Sequence, residues 1–227
     1  MKMIIMMNLF EMFDPSTNSF NIQLNWTFMI TPILFFPNLY WLIPSRLTMI
    51  FKLIINNLFI EFKIIIKNKY SMNLNLFISK MIYIMMLNLF SLTPYIFTVT
   101  SHLLFNLMMA FPFWFSFMIY SIYFYPMKTL SHLVPLNSPK FLMNFMVIIE
   151  SISLLIRPWT LAIRLSTNLI SGHLILTLLS NIMMNFLLLT PFSLMLQNLL
   201  LILEISMSMI QAYVFTILLI LYFSEIN

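Results

Sequence analysis

The residues of this chain that can do chemistry are few and regularly spaced. Glu150, Arg157 and Arg164 follow one another at intervals of seven, and Asn168 lies four further on. Later in the chain Gln197, Glu204 and Gln211 repeat the interval of seven, with Ser208 beside them. Seven residues turn an α-helix by ~700°, about 20° short of two turns, so each set would share one stripe of a helix. His173 is nine residues past Arg164, which at ~900° puts it on the opposite face. Glu150, His173 and Glu204 can take up and release protons. Arginine is effectively never deprotonated, so Arg157 and Arg164 can attract a carboxylate or repel a proton but cannot relay one. Asn168 and Gln211 can hydrogen-bond a water or a carboxylate without adding charge. Two helices packed side by side would join both stripes into one polar path.

Plainer roles stand beside these. His173 could simply hydrogen-bond a neighbouring helix, and Arg157 could pair with Glu150 as a structural bridge. Gly172, the only glycine in the chain, suits close approach of two helices. No His/Asp/Glu set has metal-ligand spacing, and one glycine cannot make a phosphate-cradling loop, so neither a metal nor a cofactor is expected. With no cysteine, disulfides and thiolate sites are excluded.

These groups are embedded in sequence that belongs in lipid. Of 227 residues, 62% are hydrophobic and 7% charged, against about 25% charged in a soluble domain. The composition implies an all-α, multi-pass membrane protein. The net charge of +5 then speaks to loop orientation, and no nucleic-acid partner is expected. Abundant Met, Phe, Ile and Asn with little Gly and Ala are the products of A/T-rich codons, as in an organellar genome. The amino end lacks the Arg-rich, acid-poor pattern of a transit peptide, as expected of a chain made inside the organelle.

The spacing of apolar runs predicts about five membrane-embedded helices in one integral domain, 1–227. The first span is placed at 24–42, with Trp26, Tyr40 and Trp41 as interface anchors. At 45–69, Ser45, Lys52, Asn56, Lys63 and Lys67 fall on one stripe of an otherwise apolar segment, which reads as an interfacial amphipathic helix or as a plain loop. Spans follow at 76–97 and 102–125, with Lys80 near enough to the start of its span to snorkel. His102 and His132 fall near loops, at the interface. The last two segments, 141–180 and 187–223, are too long for an upright crossing of a ~30 Å hydrocarbon core and must be strongly tilted helices. Basic loops at 46–80 and 126–140 share one side, the compartment of synthesis, and the uncharged connectors at 98–102 and 181–185 share the other.

Glu150 through Arg157-Pro158, Leu161-Ala162-Ile163-Arg164-Leu165-Ser166-Thr167-Asn168 and Ser171-Gly172-His173-Leu174 closely resemble the signature of subunit a of the rotary F-type ATP synthase, in its mitochondrially encoded form. Glu204 through Gln211-Ala212-Tyr213-Val214-Phe215 is similar to the motif of the family's last helix. Weaker likeness extends to Asn8-Leu9-Phe10, Phe13-Asp14-Pro15-Ser16, Thr93-Pro94-Tyr95, Ser101-His102-Leu103 and His132-Leu133-Val134-Pro135. The resemblance implies a non-catalytic stator in the mitochondrial inner membrane, partnered by a c-ring, peripheral-stalk and other membrane-sector subunits and the lipid bilayer. It gives Arg164 the place of the essential arginine. It puts Asn168, His173, Glu204 and Gln211 along the proton path and Glu150 on the matrix-side path, with Arg157, Gly172 and Ser208 in support. Trp159, Thr167 and Ser171 depart from the Gly or Ala the family pattern leads one to expect. The resemblance further implies two proton half-channels, with His173 and Glu204 facing one aqueous cavity open to the uncharged-loop side. A coupled transporter with broken helices in paired halves is the alternative, but no such symmetry is visible. An intramembrane hydrolase would need a nucleophile–base pair or metal ligands, and neither is evident.

Overall fold

The computed structural model describes residues 10–16, 23–36, 43–66, 73–93, 96–134, 142–185 and 190–226. Within them the chain is helical: α1 (Thr31–Phe35), α2 (Arg46–Ile65), α3 (Leu74–Ser91), α4 (Leu103–Phe124), α5 (Pro126–His132), α6 (Met143–Asn185) and α7 (Thr190–Ile226), with short 3-10 turns at Glu11–Phe13, Leu24–Met29 and Val99–Ser101. Four helices, α3, α4, α6 and α7, are long and apolar enough to cross a membrane. The protein is an all-α, multi-pass membrane protein.

The expected first span has a different form. Over its described part, 24–36, a 3-10 turn leads into α1, and the described apolar stretch Leu24–Phe35 is shorter than the ~20 residues of an ordinary crossing. Pro32 sits in the first turn of α1, where its missing N–H costs nothing but its ring prevents the helix from extending backwards. Pro37, Tyr40 and Trp41 lie outside the described residues, as do Lys67, Lys140 and much of the loop expected at 126–140. That loop opens instead as α5. Trp26 does not act as a free anchor: its ring packs on Phe97 and His102 at centroid distances of 5.9 and 5.1 Å.

Helix α2 begins at an N-cap, where Ser45 Oγ accepts the Thr48 N–H at 3.4 Å. Lys52, Asn56 and Lys63 are exposed along it, as the stripe predicted, and Phe62 is fully buried. α6 and α7 are each continuous, with 43 and 37 residues, or about 65 and 55 Å at ~1.5 Å per residue. No water-exposed loop divides either. Pro158 is buried within α6 and Pro112 is exposed within α4, and both helices run through.

Helix α3 packs mainly on α7, while α6 packs on α7 and α4. The main core joins Phe62 of α2, Phe77, Met81 and Ile84 of α3, Leu161 and Leu165 of α6, and Phe215, Leu219 and Ile220 of α7. In lipid these contacts gain little from the hydrophobic effect, because the tails are as apolar as leucine; close packing and polar links hold the helices. Hydroxyls supply few such links. Ser79, Ser116, Ser121, Ser166, Ser206 and Thr216 donate to carbonyls of their own helix three residues back, which satisfies them locally. Side-chain amides and one lysine reach across. Lys80 does not snorkel: it is 8% exposed and donates to the Met109 carbonyl of α4.

Asn106 of α4 is the tightest polar link. It is 1% exposed and its Nδ2 donates to Thr100 O at 2.8 Å and to Ala162 O of α6 at 3.4 Å. Replacing Asn106 with Leu would leave both carbonyls without this donor, at about 0.6–2 kcal/mol per lost interhelical bond. The Asn106→Leu protein should therefore unfold at a lower temperature in detergent. An unchanged midpoint would show that the link contributes nothing.

Candidate functional site

Helices α6 and α7 run antiparallel, and three side-chain meetings fix their register. Gly172 faces Glu204, Asn168 Nδ2 donates to Gln211 Oε1 at 3.2 Å, and the Arg157 guanidinium lies 4.9 Å from the Tyr222 ring centroid. The first is a matter of volume. A Cβ on residue 172 would stand 2.8 Å from Glu204 Oε1 and 2.9 Å from Cδ, closer than real atoms approach. The single glycine is what lets the carboxyl group lie against α6, a more specific form of the close packing its composition suggested.

Around this contact the structure brings together Asn168, Gly172, Glu204, Ser208 and Gln211, four of them from the two sequence stripes. With Asn88 of α3 they line a cavity of about 20 Å³, near the size one water needs. Ser208 is buried and spends its proton on Ile205 O at 2.7 Å, leaving its lone pairs free. Its carbonyl accepts from Asn88 Nδ2 at 3.4 Å. Asn88 Oδ1, Gln211 Nε2 and Glu204 Oε2 are buried and have no hydrogen-bond partner among the described residues. They are an acceptor, a donor and an oxygen that can be either. A single water, with two protons and two lone pairs, is complementary to all three.

Asn88 was not singled out from sequence. Its signal was available: an amide 1% exposed late in the apolar helix α3, where an uncompensated polar group would be costly. Without a charge or a seven-residue partner it did not join either stripe.

His173 is placed elsewhere. It lines a larger cavity of about 580 Å³ with Asp14, Ser16, Asn25, Ser91, Thr93, Thr98 and Gln197. Its Nε2 is buried without a partner among the described residues. The expectation of one cavity shared with Glu204 is corrected: the two groups face separate spaces. Consecutive helix positions differ by ~100°, so Glu204 docks at Gly172 while His173 turns toward the end of α3. His102, expected at an interface, is half-buried between the Trp26 and Phe97 rings.

The two arginines are treated differently. Arg164 is exposed on the outer face of α6, and its guanidinium makes no ion pair or hydrogen bond among the described residues. Thr160, Thr167 and Ser171 are exposed beside it, their hydroxyls returned to α6 carbonyls. Trp159 is exposed too, edge-on to Phe111 at 6.0 Å. Thus the three residues that depart from the family pattern lie on the outer surface and leave the α6–α7 contact undisturbed. Arg157 is half-buried against Tyr222, a favourable use of an aromatic face. Glu150 is half-buried fourteen residues from Arg164, about 21 Å along the axis, and does not join the Glu204 cluster. Among the described residues no three His, Asp or Glu side chains gather as metal ligands.

A family model described as the ATP synthase A chain matches residues 26–224. The chain belongs to this family. It is 63% identical to ATP synthase subunit a of Apis mellifera ligustica over 227 residues, covering 100% of both chains. It is 46% identical to ATP synthase subunit a of Locusta migratoria and 44% to that of Aedes aegypti, each over 226 residues, 98% of this chain and 100% of the relative. The match to the ATP synthase A chain family takes in all four long helices and every polar group of the α6–α7 contact.

The Gly172 geometry generates a prediction. Gly172→Ala should displace the Glu204 carboxyl and lower proton-driven ATP synthesis several-fold in the assembled complex. The amount of chain incorporated should not fall, since alanine is favoured over glycine in a helix by up to ~1 kcal/mol. Rate of synthesis per assembled complex is the measurement; an unchanged rate would mean that the position of Glu204 does not matter.

Proposed function

We propose that this chain is the proton-translocating stator subunit of the membrane sector of ATP synthase, working against a rotating ring of c subunits and coupling proton flow to ATP synthesis. It is a multi-pass protein of the mitochondrial inner membrane. The reading rests above all on one contrast: α6 turns Asn168 and Gly172 inward to Gln211 and Glu204, while Arg164, one turn from Asn168, faces outward without a counter-charge among the described residues.

Protons arrive from the uncharged-loop side through the cavity at His173, move to Glu204, and pass the Asn88–Gln211–Asn168 amides to a ring carboxylate at the outer face of α6. Neutralised, that carboxylate can rotate through lipid; ionised, it could not do so cheaply. On completing its circuit it meets Arg164, whose permanent charge favours the ionised form, and its proton leaves along the Glu150 side. Each charge crossing 100 mV gives about 2.3 kcal/mol, so several protons must be combined per ATP. The chain itself is not catalytic. Ring and peripheral-stalk subunits are its partners, and α2 lies at the membrane surface on the side of the basic loops.

An exposed arginine within a spanning helix needs a partner that comes from outside the chain. Arg164→Ala should abolish proton-driven ATP synthesis and permit passive proton slip. Arg164→Lys should also fail, because an ammonium lacks the planar fork and can lose its proton. Arg157→Gln should keep substantial coupled activity, since Arg157 is already occupied with Tyr222. The measurements are synthesis rate and proton leak in reconstituted complexes of verified subunit content. Coupled synthesis surviving Arg164→Ala would overturn the assignment.

A further inference from the structure

The proton path as described uses every buried ionisable group of the α6–α7 contact and leaves one buried cation unexplained. Lys80 enters from α3 six residues past Leu74, about 9 Å along the helix. It is 8% exposed, donates to the Met109 carbonyl, and holds its Nζ 3.4 Å from the Phe113 ring centroid and 5.5 Å from that of Phe215. Two aromatic faces and a carbonyl are a cage for a positive charge.

Its place in the bundle gives this cation a use. Helices α3 and α7 run antiparallel, with Asn88 at Ser208, Lys80 at Phe215 and Phe77 at Phe223. Along this seam the side-chain amides end at Asn88 and Gln211. Beyond them the buried contact is lined by apolar side chains, among them Phe77, Met81, Ile84, Phe215 and Leu219, with Thr216 returning its hydroxyl proton to its own helix, and Lys80 stands among them. Arg164 cannot guard this line, because it is on the outer face of α6. A dry apolar seam slows protons, and a fixed positive charge within it repels them, the principle by which pores that pass water exclude protons.

We propose that Lys80 is a second positive charge bearing on the proton path, an electrostatic plug that stops protons at Asn88–Gln211 from continuing between α3 and α7 to the basic-loop side. Arg164 blocks the route along the ring; Lys80 blocks the route through the interior of the chain. Each proton is thereby left no exit but the ring carboxylate. The inference rests on the proton-path reading above. It differs from a purely structural role for Lys80, in which only the bond to Met109 would matter.

The test uses ATP synthase complexes carrying this chain, reconstituted in liposomes, with passive proton conductance through the membrane sector measured under an imposed gradient without nucleotide. Lys80→Gln keeps a donor and removes the charge, Lys80→Leu removes both, and Lys80→Arg keeps both. The expected result is a several-fold rise in conductance for Gln and Leu and none for Arg, with fewer ATP made per proton in the two neutral variants. Should the neutral variants not assemble, Lys80→Met, which fills the same space with an unbranched side chain and no charge, is measured instead. Neutral variants as tight as the parent, or an Arg variant as leaky as the Gln variant, would overturn the proposal. Loss of coupled synthesis in Arg164→Ala alongside a tight Lys80→Leu would remove the plug and leave the proton-path reading intact. Coupled synthesis persisting in Arg164→Ala would remove that reading first.

Discussion

Everything in the candidate site depends on how closely α6 and α7 can approach at Gly172. A methyl group there would occupy the space of the Glu204 carboxyl. Because it is absent, an acid can lie against a helix backbone within an apolar bundle, and the next contacts follow from register. One turn of α6 back from Gly172 is Asn168, two turns of α7 on from Glu204 is Gln211, and these two amides meet. Helix geometry carries the spacing of seven on α7 and four on α6 into a single line of polar contacts.

Lipid imposes the second constraint, which decides what such a line can contain. Serines and threonines in the spanning helices return their protons to their own backbone, so they add acceptors to a cavity without demanding a partner. Among the described residues, the groups left with an unmet buried polar atom are Asn88, Gln211, Glu204 and His173, with Thr100 and His102 near the start of α4. In a region where an unsatisfied polar atom is costly, the four that line the two cavities at α6 and α7 are the groups on which the proposed proton path rests. The same bookkeeping accounts for Asn106, which meets two carbonyls and is therefore an ordinary link between helices.

Much of this was legible in the chain. Interval-seven spacing of Glu150, Arg157 and Arg164, and of Gln197, Glu204 and Gln211, pointed to both long helices, but only part of each stripe meets the other: Asn168, Glu204 and Gln211 turn together, while Arg164 faces outward and Gln197 lines the His173 cavity. The lengths of α6 and α7 followed from uninterrupted apolar sequence. Less legible was anything set by a third helix. Asn88 contributes from α3 without any pattern of its own, and its importance arises only because α3 crosses α7 at Ser208. Lys80, read alone, belongs to the common class of lysines that reach for the interface. Its inward turn depends on an acceptor carbonyl and two rings supplied by α4 and α7. The separation of His173 from Glu204 likewise depends on where α3 ends, which a periodicity on α6 does not contain. In the described part of the first span, the break between the 3-10 turn and α1 has a local reason: hydropathy counts Pro32 as nearly neutral, whereas its ring keeps α1 from extending backwards.

Three cations in this membrane domain show how environment sorts identical charges into different tasks. Arg157 rests half-buried on the Tyr222 ring, Lys80 is enclosed by Phe113, Phe215 and the Met109 carbonyl, and Arg164 is exposed. A charge held by rings and carbonyls has part of its stabilisation built in. A charge turned out toward lipid has none, and a helix that keeps it there remains at a disadvantage until another surface covers it. Under the proposed function, Arg164 is thus the one of the three whose energy would change most as a ring carboxylate arrived and departed. That change, rather than the presence of an arginine as such, is what the proposed mechanism uses.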